Sequence, residues 1–225
     1  MQVKYLVLIF FIIFFLSFDC LYAEEKIKVD QFIKSVEQKL KSIKTLYTDI
    51  DTNGYDQDNR SVNLKVFYWK DREKIKKIVE DGSDTMTTLI LGDTFYVHYH
   101  SSNMLIVNNV KQLSSNELKN FKMQNQILEY YKLSELLKDY DIKNIVKKNN
   151  EYIINLESKN KRENIEIVFA NNYDLKTIKS VITEKNQKQE FNINFKVFRI
   201  NDKISSKIFE PDFLKFKDLY DSAFD

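Results

Sequence analysis

The sequence predicts a mainly β protein of the α+β class, built on one long antiparallel sheet. Between residues 142 and 211, five or six short runs are separated by polar pairs such as Asn149-Asn150, which is the rhythm of a strand meander. Within the runs apolar and polar side chains alternate, as in the stretch 191–197, so each strand has one apolar face. A sheet of this length must hide that face, and helical patterns occur near the start and in the middle of the chain. We therefore expect an open, incomplete antiparallel β-barrel of about 10–11 strands, with two or three helices forming a lid or plug.

Residues 1–23 have the pattern of a secretory signal peptide. Lys4 precedes an apolar run over residues 5–16, and Ala23 provides the small residue before a cleavage site. The run is too short for a confident membrane span. We expect an exported, periplasmic protein whose mature chain, residues 24–225, is a single domain.

Cys20 is the only cysteine of the 225 residues. Cleavage after Ala23 would leave a mature chain without cysteine, which excludes both a disulfide framework and thiol catalysis. The alternative is a lipoprotein signal that would place a lipid on Cys20, although Phe18-Asp19 is a poor match to the small residues such a signal prefers.

The first mature element is an amphipathic helix predicted from Ile27 to Leu46. Its apolar residues recur at intervals of three and four, which places them on one stripe: Val29, Phe32, Ile33, Val36, Leu40, Ile43 and Tyr47. Such a helix has to lie on an apolar surface, and the sheet is the only candidate.

Alternating runs follow from Thr48 to Val107, with turns expected at Asn53-Gly54, Asp81-Gly82 and Gly92-Asp93. Because the chain has 3 glycines and 1 proline, most other turns must use Asn and Asp. The middle of the chain differs, since Ser114 and Glu117 form a capping-box sequence. Apolar residues continue with helical spacing over residues 127–141, so one or two helices interrupt the strands.

A rolled sheet of ten or so strands has an interior wider than side chains easily fill, which favours a ligand cavity. We expect its lining to be apolar and without charge, which suits an acyl chain. The predicted lining residues are the inward members of the alternating runs: Val62, Leu64, Val66, Phe95, Val97, Ile154, Leu156, Ile165, Ile167, Phe169, Phe191, Ile193 and Phe195. The alternative is an interior filled by the first helix and by its own side chains.

The order of these elements resembles the LolA family of periplasmic lipoprotein carriers and the related outer-membrane lipoprotein-sorting proteins. The segments that carry the likeness are Ile43-Lys-Thr-Leu46, Val62-Asn-Leu-Lys-Val66, Leu91-Gly-Asp-Thr-Phe-Tyr-Val-His-Tyr99, Phe195-Lys-Val-Phe-Arg-Ile-Asn201 and Ile208-Phe-Glu-Pro211. The likeness is one of order and pattern along nearly the whole mature chain.

The resemblance implies a monomeric, non-enzymatic chaperone of protein transport, with no cofactor. In that family an inner-membrane ABC-type exporter loads the carrier, which delivers lipoproteins to an outer-membrane acceptor. The family's arginine that holds the lid closed would correspond to Lys76, or alternatively to Arg72. If Cys20 were lipidated, the same fold would instead be a membrane-anchored acceptor.

Other chemistry is weakly indicated. His98 and His100 share a strand face, which zinc sites use, but no third ligand is marked and a surface strand is the plainer interpretation. Lys70, Arg72, Lys74 and Lys76 alternate along one predicted face, typical of a charged edge strand or of docking to an anionic partner. No glycine-rich phosphate loop or nucleophile elbow occurs, and the export signal argues against nucleic acid. The rival functions are an enzyme or metal protein using the two histidines, and an exported interaction module with a filled barrel.

Overall fold

The computed structural model describes residues 27–55, 58, 60–115, 117–118, 121, 127–184 and 187–211. The predicted signal peptide, with Cys20 and the cleavage site after Ala23, lies outside the described residues. Within the described ranges, no helix is both long enough and apolar enough to cross a membrane.

Eleven antiparallel strands form one sheet in the order β6-β5-β4-β3-β2-β1-β11-β10-β9-β8-β7. The sheet is open because β6 and β7 lie at its two opposite edges, and this confirms the predicted fold class. The strands are β1 Thr45–Tyr55, β2 Ser61–Asp71, β3 Lys74–Glu80, β4 Thr85–Leu91, β5 Thr94–Tyr99, β6 Met104–Asn109, β7 Tyr140–Lys148, β8 Glu151–Ser158, β9 Glu163–Ala170, β10 Leu175–Glu184 and β11 Gln187–Ile200.

The sheet consists of two meanders joined at its centre. Strands β1 to β6 run outward to one edge, the chain crosses to the opposite edge, and β7 to β11 run back toward the middle. There β11 pairs with β1, with Leu46 opposite Ile200 and Tyr55 opposite Glu190. The connection between β6 and β7 must therefore span the whole sheet.

We call the two faces of the sheet inner and outer. The inner face carries Leu46, Thr48 and Ile50 of β1, all buried, together with the residues directly opposite them on successive strands. Directly opposite residues in an antiparallel pair point to the same side of the sheet. Starting from Leu46, Thr48 and Ile50, the strand register therefore shows which residues of every other strand lie on the inner face. One hydrophobic cluster joins inner-face side chains with residues of the helices.

Helix α1, Val29–Ser42, packs on the inner face. Phe32 and Val36 are buried, and the Phe32 ring lies 5.4 Å from the ring of Tyr152 and 6.0 Å from that of Phe169. The predicted extension to Leu46 is wrong, because Ile43 is already extended (φ −83°, ψ 104°) and the following residues pair in β1. Val29, at the start of the predicted buried stripe, is 41% exposed.

The crossing connection contains short helical pieces in place of the long helical pattern expected over 127–141. Over the described residues they include 3-10 turns at Val110–Gln112 and Ile127–Tyr131, helical residues at positions 115, 117, 118 and 121, and helix α2 at Leu133–Leu136. The predicted capping box is confirmed, since Ser114 N donates to Glu117 Oε2 at 2.8 Å and Glu117 N to Ser114 Oγ at 3.4 Å. We call α1 together with residues 127–136 the cover, because both lie over the inner face.

Asparagine makes several turns, as the shortage of glycine predicts. Asn149 and Asn150, between β7 and β8, both have positive φ, 51° and 62°, as a two-residue hairpin turn requires. The turn predicted at Asn53-Gly54 is wrong, because β1 continues through both residues. Gly54 serves a close approach there, since a Cβ atom on it would lie 2.1 Å from the carbonyl oxygen of Glu190.

Among the described residues, a C-terminal segment covers part of the outer face of the first meander. The 3-10 turn Ser206–Phe209 places Phe209 against Leu89 and Leu105 in a second, smaller hydrophobic cluster. A bulge in the β1–β11 pairing, between the Asp49 and Ile50 pairs, puts Val197 on the outer face. The sequence pattern had placed Val197 on the same face as Phe195, and the extra residue of the bulge reverses that assignment.

Candidate functional site

The inner face brings together all the residues predicted to line a ligand cavity. Following the register from β1, these positions fall on the inner face of β2, β5, β8, β9 and β11: Val62, Leu64, Val66, Phe95, Val97, Ile154, Leu156, Ile165, Ile167, Phe169, Phe191, Ile193 and Phe195. Their placement on one face follows the predicted alternation, whereas their contact with a ligand stays a prediction.

One part of the inner face is filled by the cover. On β8 and β9 the residues Ile154, Leu156, Ile165, Ile167 and Phe169 are all buried. The Tyr131 ring of the cover lies 5.5 Å from the Phe169 ring in an edge-to-face contact. These side chains have the packing of a protein core.

Another part of the inner face is incompletely covered. On β2, Val62, Leu64 and Val66 are half-buried, as are Phe191 and Ile193 on β11. These two groups share the same end of the sheet, because Val62 and Phe191 both lie opposite Gly54 of β1.

The apolar surface continues to the edge of the first meander. Val97 on β5 is half-buried and lies opposite Ile106 of edge strand β6. Ile106 is 41% exposed and Met104, two residues earlier on the same face, is 46% exposed. Apolar surface that is accessible from the inner side is therefore present at one end and at one edge of the sheet.

A small number of polar contacts attach the cover to the sheet. The buried Tyr131 hydroxyl accepts a hydrogen bond from Leu175 N at 3.0 Å. Lys39 of α1 pairs with Asp174, just before β10, at 2.7 Å. The two parts of the cover are joined to each other, since Ser134 N donates to Glu37 Oε1 at 2.9 Å. Hydrogen bonds from the side chain and the backbone of Ser134 lower the pKa of Glu37.

The residues predicted to latch the lid lie away from the cover. Lys76 is opposite Leu89 and Trp69 on the outer face, and Arg72 lies in the exposed β2–β3 turn with φ 53°. The four basic residues predicted to share one face do not do so, because Lys70 lies on the inner face of β2, Arg72 in the turn, and Lys74 and Lys76 on the outer face of β3. Their role as a latch stays a prediction that the placement of the cover does not support.

The inner face is not free of charge, contrary to the expectation from the sequence. Lys77 lies directly opposite the buried residues Tyr68 and Thr88, and Lys70 lies opposite Ile75. Burial lowers the pKa of Lys77 to about 8 and also lowers the pKa of Lys70. The sequence analysis did not place Lys77 on the inner face, because its face depends on the position of the β2–β3 turn. The alternation of Ile75, Lys77 and Val79 does indicate that these three residues share a face.

A cavity of about 910 Å³ lies next to the cover, at the end of the second meander where β7 and β9 begin and β8 ends. Its lining includes Tyr130 and Tyr140 and carries charges of both signs, among them Glu163 on β9. Tyr140 Oη donates to Glu163 Oε2 at 2.5 Å and Ser180 Oγ donates to Glu163 Oε1 at 2.7 Å. Burial, followed by the bond to this carboxylate, raises the pKa of Tyr140.

The two histidines come together on the outer side of β5, with ring centroids 4.5 Å apart. His98 is buried and its Nε2 lies 3.3 Å from Asn103 Oδ1, while His100 Nε2 lies 2.9 Å from Thr87 Oγ1. Burial and the neighbouring His98 lower the pKa of His100. Over the described ranges, no group of three or more His, Cys, Asp or Glu residues is placed to hold a metal ion.

No protein-family model matches this chain, and no curated protein matches its sequence. Solved structures do match. LolA superfamily protein NE2245 from Nitrosomonas europaea is 12% identical with a TM-score of 0.39, and the match covers 81% of this chain and 99% of that one.

Two further structures have comparable values. A putative outer-membrane lipoprotein-sorting protein domain from Vibrio parahaemolyticus is 8% identical with a TM-score of 0.40, covering 81% of this chain and 97% of that one. A DUF1329 family protein from Desulfovibrio piger is 9% identical with a TM-score of 0.40 and the same two coverages.

Proposed function

We propose that this protein is a non-enzymatic, exported carrier that binds the acyl chains of a lipid or lipoprotein on its inner face. The observation that carries the proposal is the incompletely covered apolar surface formed by β2 and β11, continuous with a face whose other half is a packed core. Water contact with such a surface is unfavourable by about 25 cal/mol per Å², so a chain molecule that covers it is stabilised.

The cover supplies the means of release. A bound acyl chain is held by about 0.8 kcal/mol per buried methylene, so release requires a change in the protein as well as dilution. Apart from apolar packing, the cover is joined to the sheet by the polar contacts of Tyr131 and Lys39 described above, and its displacement would expose the rest of the inner face. In this proposal the cover is a two-state element whose open form accepts or surrenders cargo.

The same proposal includes export to the periplasm, loading by an inner-membrane exporter and delivery to an outer-membrane acceptor. They rest on the signal-like residues 1–23 and on the resemblance of the sequence pattern. An anchored acceptor of the same fold is the variant of this function that lipidation of Cys20 would produce.

The filled half of the inner face favours a second candidate. Ile154, Ile167 and Phe169 are buried beneath Phe32 and Tyr131, as they would be in an interaction module with no ligand. The two candidates differ in what the half-buried part of the face binds.

Native mass spectrometry of the protein from its own envelope fraction distinguishes these functions. A mature chain beginning at Glu24, with additional mass that organic solvent releases, supports a soluble carrier. Acyl mass fixed to Cys20 indicates the anchored acceptor. A bare chain that also takes up no added lipid would refute the carrier and favour the filled module.

A matched pair of variants then tests the binding face. Leu64→Arg places a charge on the half-buried apolar surface, whereas Asn63→Arg places it on the adjacent outward position. We expect the first variant to lose uptake of a hydrophobic fluorescent dye and the second to retain it. Equal uptake by both folded variants would exclude the inner face of β2 as the binding surface.

A further inference from the structure

A polar row crosses the apolar inner face. The register places Thr48 opposite Tyr68, Tyr68 opposite Lys77, and Lys77 opposite Thr88, on four adjacent strands. Side chains directly opposite each other have Cβ atoms about 4.5–5.5 Å apart, so the four form a continuous line.

The neighbouring rows are apolar except for one lysine. Two positions along the strands in one direction lie Leu46, Lys70, Ile75 and Ile90, and two positions in the other direction lie Ile50, Val66, Val79 and Met86. Polar groups in such surroundings are unfavourable unless they find partners.

Tyr68 is the member of the row whose hydrogen bonding is incomplete. Its side chain is 0% exposed, and within the described part of the chain its hydroxyl oxygen has no hydrogen-bond partner. Thr48, by contrast, donates from Oγ1 to Val197 O at 2.7 Å. A buried hydroxyl without a partner destabilises the fold, so a ligand that accepts a hydrogen bond from it would bind favourably there.

Lys77 provides positive charge beside this hydroxyl. It is half-buried, and at neutral pH it is still mostly protonated, since burial lowers its pKa to about 8. Lys70 adds a second positive group to the same face. Burial, and after it the charge of Glu129 in the cover, raises the pKa of Tyr68, and Glu129 is itself paired with Lys132 at 2.9 Å.

We propose that Tyr68 and Lys77 bind the carboxylate headgroup of a single-chain fatty acid whose hydrocarbon chain lies on the half-buried apolar residues Val66, Leu64 and Val62 of β2. A carboxylate accepts one hydrogen bond from a phenol hydroxyl and one from an ammonium group, and charge-assisted bonds of this kind are the strong ones. The inference rests on the proposed function, because it names the chemical class of ligand that the inner face would take.

The test compares dodecanoate with dodecanol, which have the same chain length and differ in the headgroup. Their affinities for the full chain are measured at pH 7 by displacement of a hydrophobic fluorescent dye. We expect dodecanoate to bind at least about tenfold more tightly, because hydrogen bonds to charged groups are stronger than those between neutral groups. Lys77→Met should abolish this preference and Tyr68→Phe should reduce it.

Lys76→Met is the matched control, because it removes the same charge from the outer face of the same strand, and it should retain the preference. If dodecanoate and dodecanol bind equally to the wild-type protein, the headgroup site is refuted while the apolar carrier stands. If Lys77→Met and Lys76→Met both lose the preference for dodecanoate, the preference comes from the overall positive charge of the protein and the site is again refuted. If both retain it, Lys77 does not bind the carboxylate. If neither compound displaces the dye, the proposed function itself fails.

Discussion

The lysine on the inner face has a predictable effect on stability. Replacing Lys77 with Met keeps most of the apolar stem and removes the charge. In the folded protein the pKa of Lys77 is about 8, compared with 10.5 for an exposed lysine. This difference corresponds to about 3 kcal/mol against the charged form, and because the side chain is half-buried we expect about 1–2 kcal/mol after solvent screening.

The effect should depend on pH in a defined direction. Below about pH 8 Lys77 is protonated in both the folded and the unfolded state, so the destabilisation is fully present. Between about pH 8 and 10.5 the unfolded chain binds this proton and the folded chain does not, so stability rises with pH. Above 10.5 both states are neutral at this position and the destabilisation is absent.

Urea unfolding of the ligand-free protein at pH 7 and at pH 9.5 measures both expectations. Lys77→Met should be more stable than wild type at pH 7, and the gain should shrink at pH 9.5. Lys76→Met should change stability by less than about 0.5 kcal/mol at either pH. A Lys77→Met protein no more stable than wild type at pH 7, or a gain independent of pH, would refute the reasoning.

Three further substitutions test contacts that hold the sheet and its cover. Gly54→Ala should destabilise the protein by several kcal/mol or abolish folding, because the new Cβ would lie 2.1 Å from Glu190 O, and urea unfolding measures the loss. Tyr131→Phe should cost about 1–3 kcal/mol, since it leaves the buried amide of Leu175 without its acceptor, and hydrogen exchange should show faster opening of the cover. Asn201→Ala should cost about 1–2 kcal/mol by the same unfolding measurement, because its side-chain amide bonds to Lys44 N at 2.8 Å and to Ser42 O at 2.9 Å at the end of α1.

Each of these expectations has an outcome that contradicts it. Asn53→Ala is the control for the glycine, since it adds no atoms near β11, and equal effects of the two would remove the close-approach argument. Unchanged exchange in Tyr131→Phe would show that apolar packing alone holds the cover. Wild-type stability in Asn201→Ala would mean that the α1–β1 junction does not depend on this side chain.

Strand faces were predictable from the sequence because a period of two is a local property. All thirteen lining positions follow the alternation, and Val197 departs from it only because a bulge inserts one residue. Helix α1 was predictable from its apolar spacing, but its end at Ser42 depends on the pairing of β1 with distant strands. Asparagine turns were predictable from composition, whereas the role of Gly54 depends on the backbone of β11.

The polar features of the inner face could not be predicted in the same way. Lys77 follows Lys74 and Lys76 in the sequence, so the pattern alone does not show which lysine points inward. The position of the β2–β3 turn decides which face of the sheet Lys77 occupies. The pairing of Tyr140 and Glu163 joins residues 23 positions apart on β7 and β9, which no local pattern reveals. The family resemblance implied a basic latch at Lys76 or Arg72, but both residues lie away from the cover.

The pairing of β1 with β11 also determines when the sheet can be completed. Leu46 and Ile200 meet at its centre, yet a ribosome makes the second of them only after nearly the whole remainder of the chain. Each meander can form from neighbouring segments, because its contacts are short in sequence. Until β11 emerges, β1 and β10 are both unpaired strand edges, which are the surfaces most prone to associate with other chains. The β1–β11 pairing at the centre of the sheet is thus the last to form. The edges of β1 and β10 therefore stay open to association with other chains for the longest time.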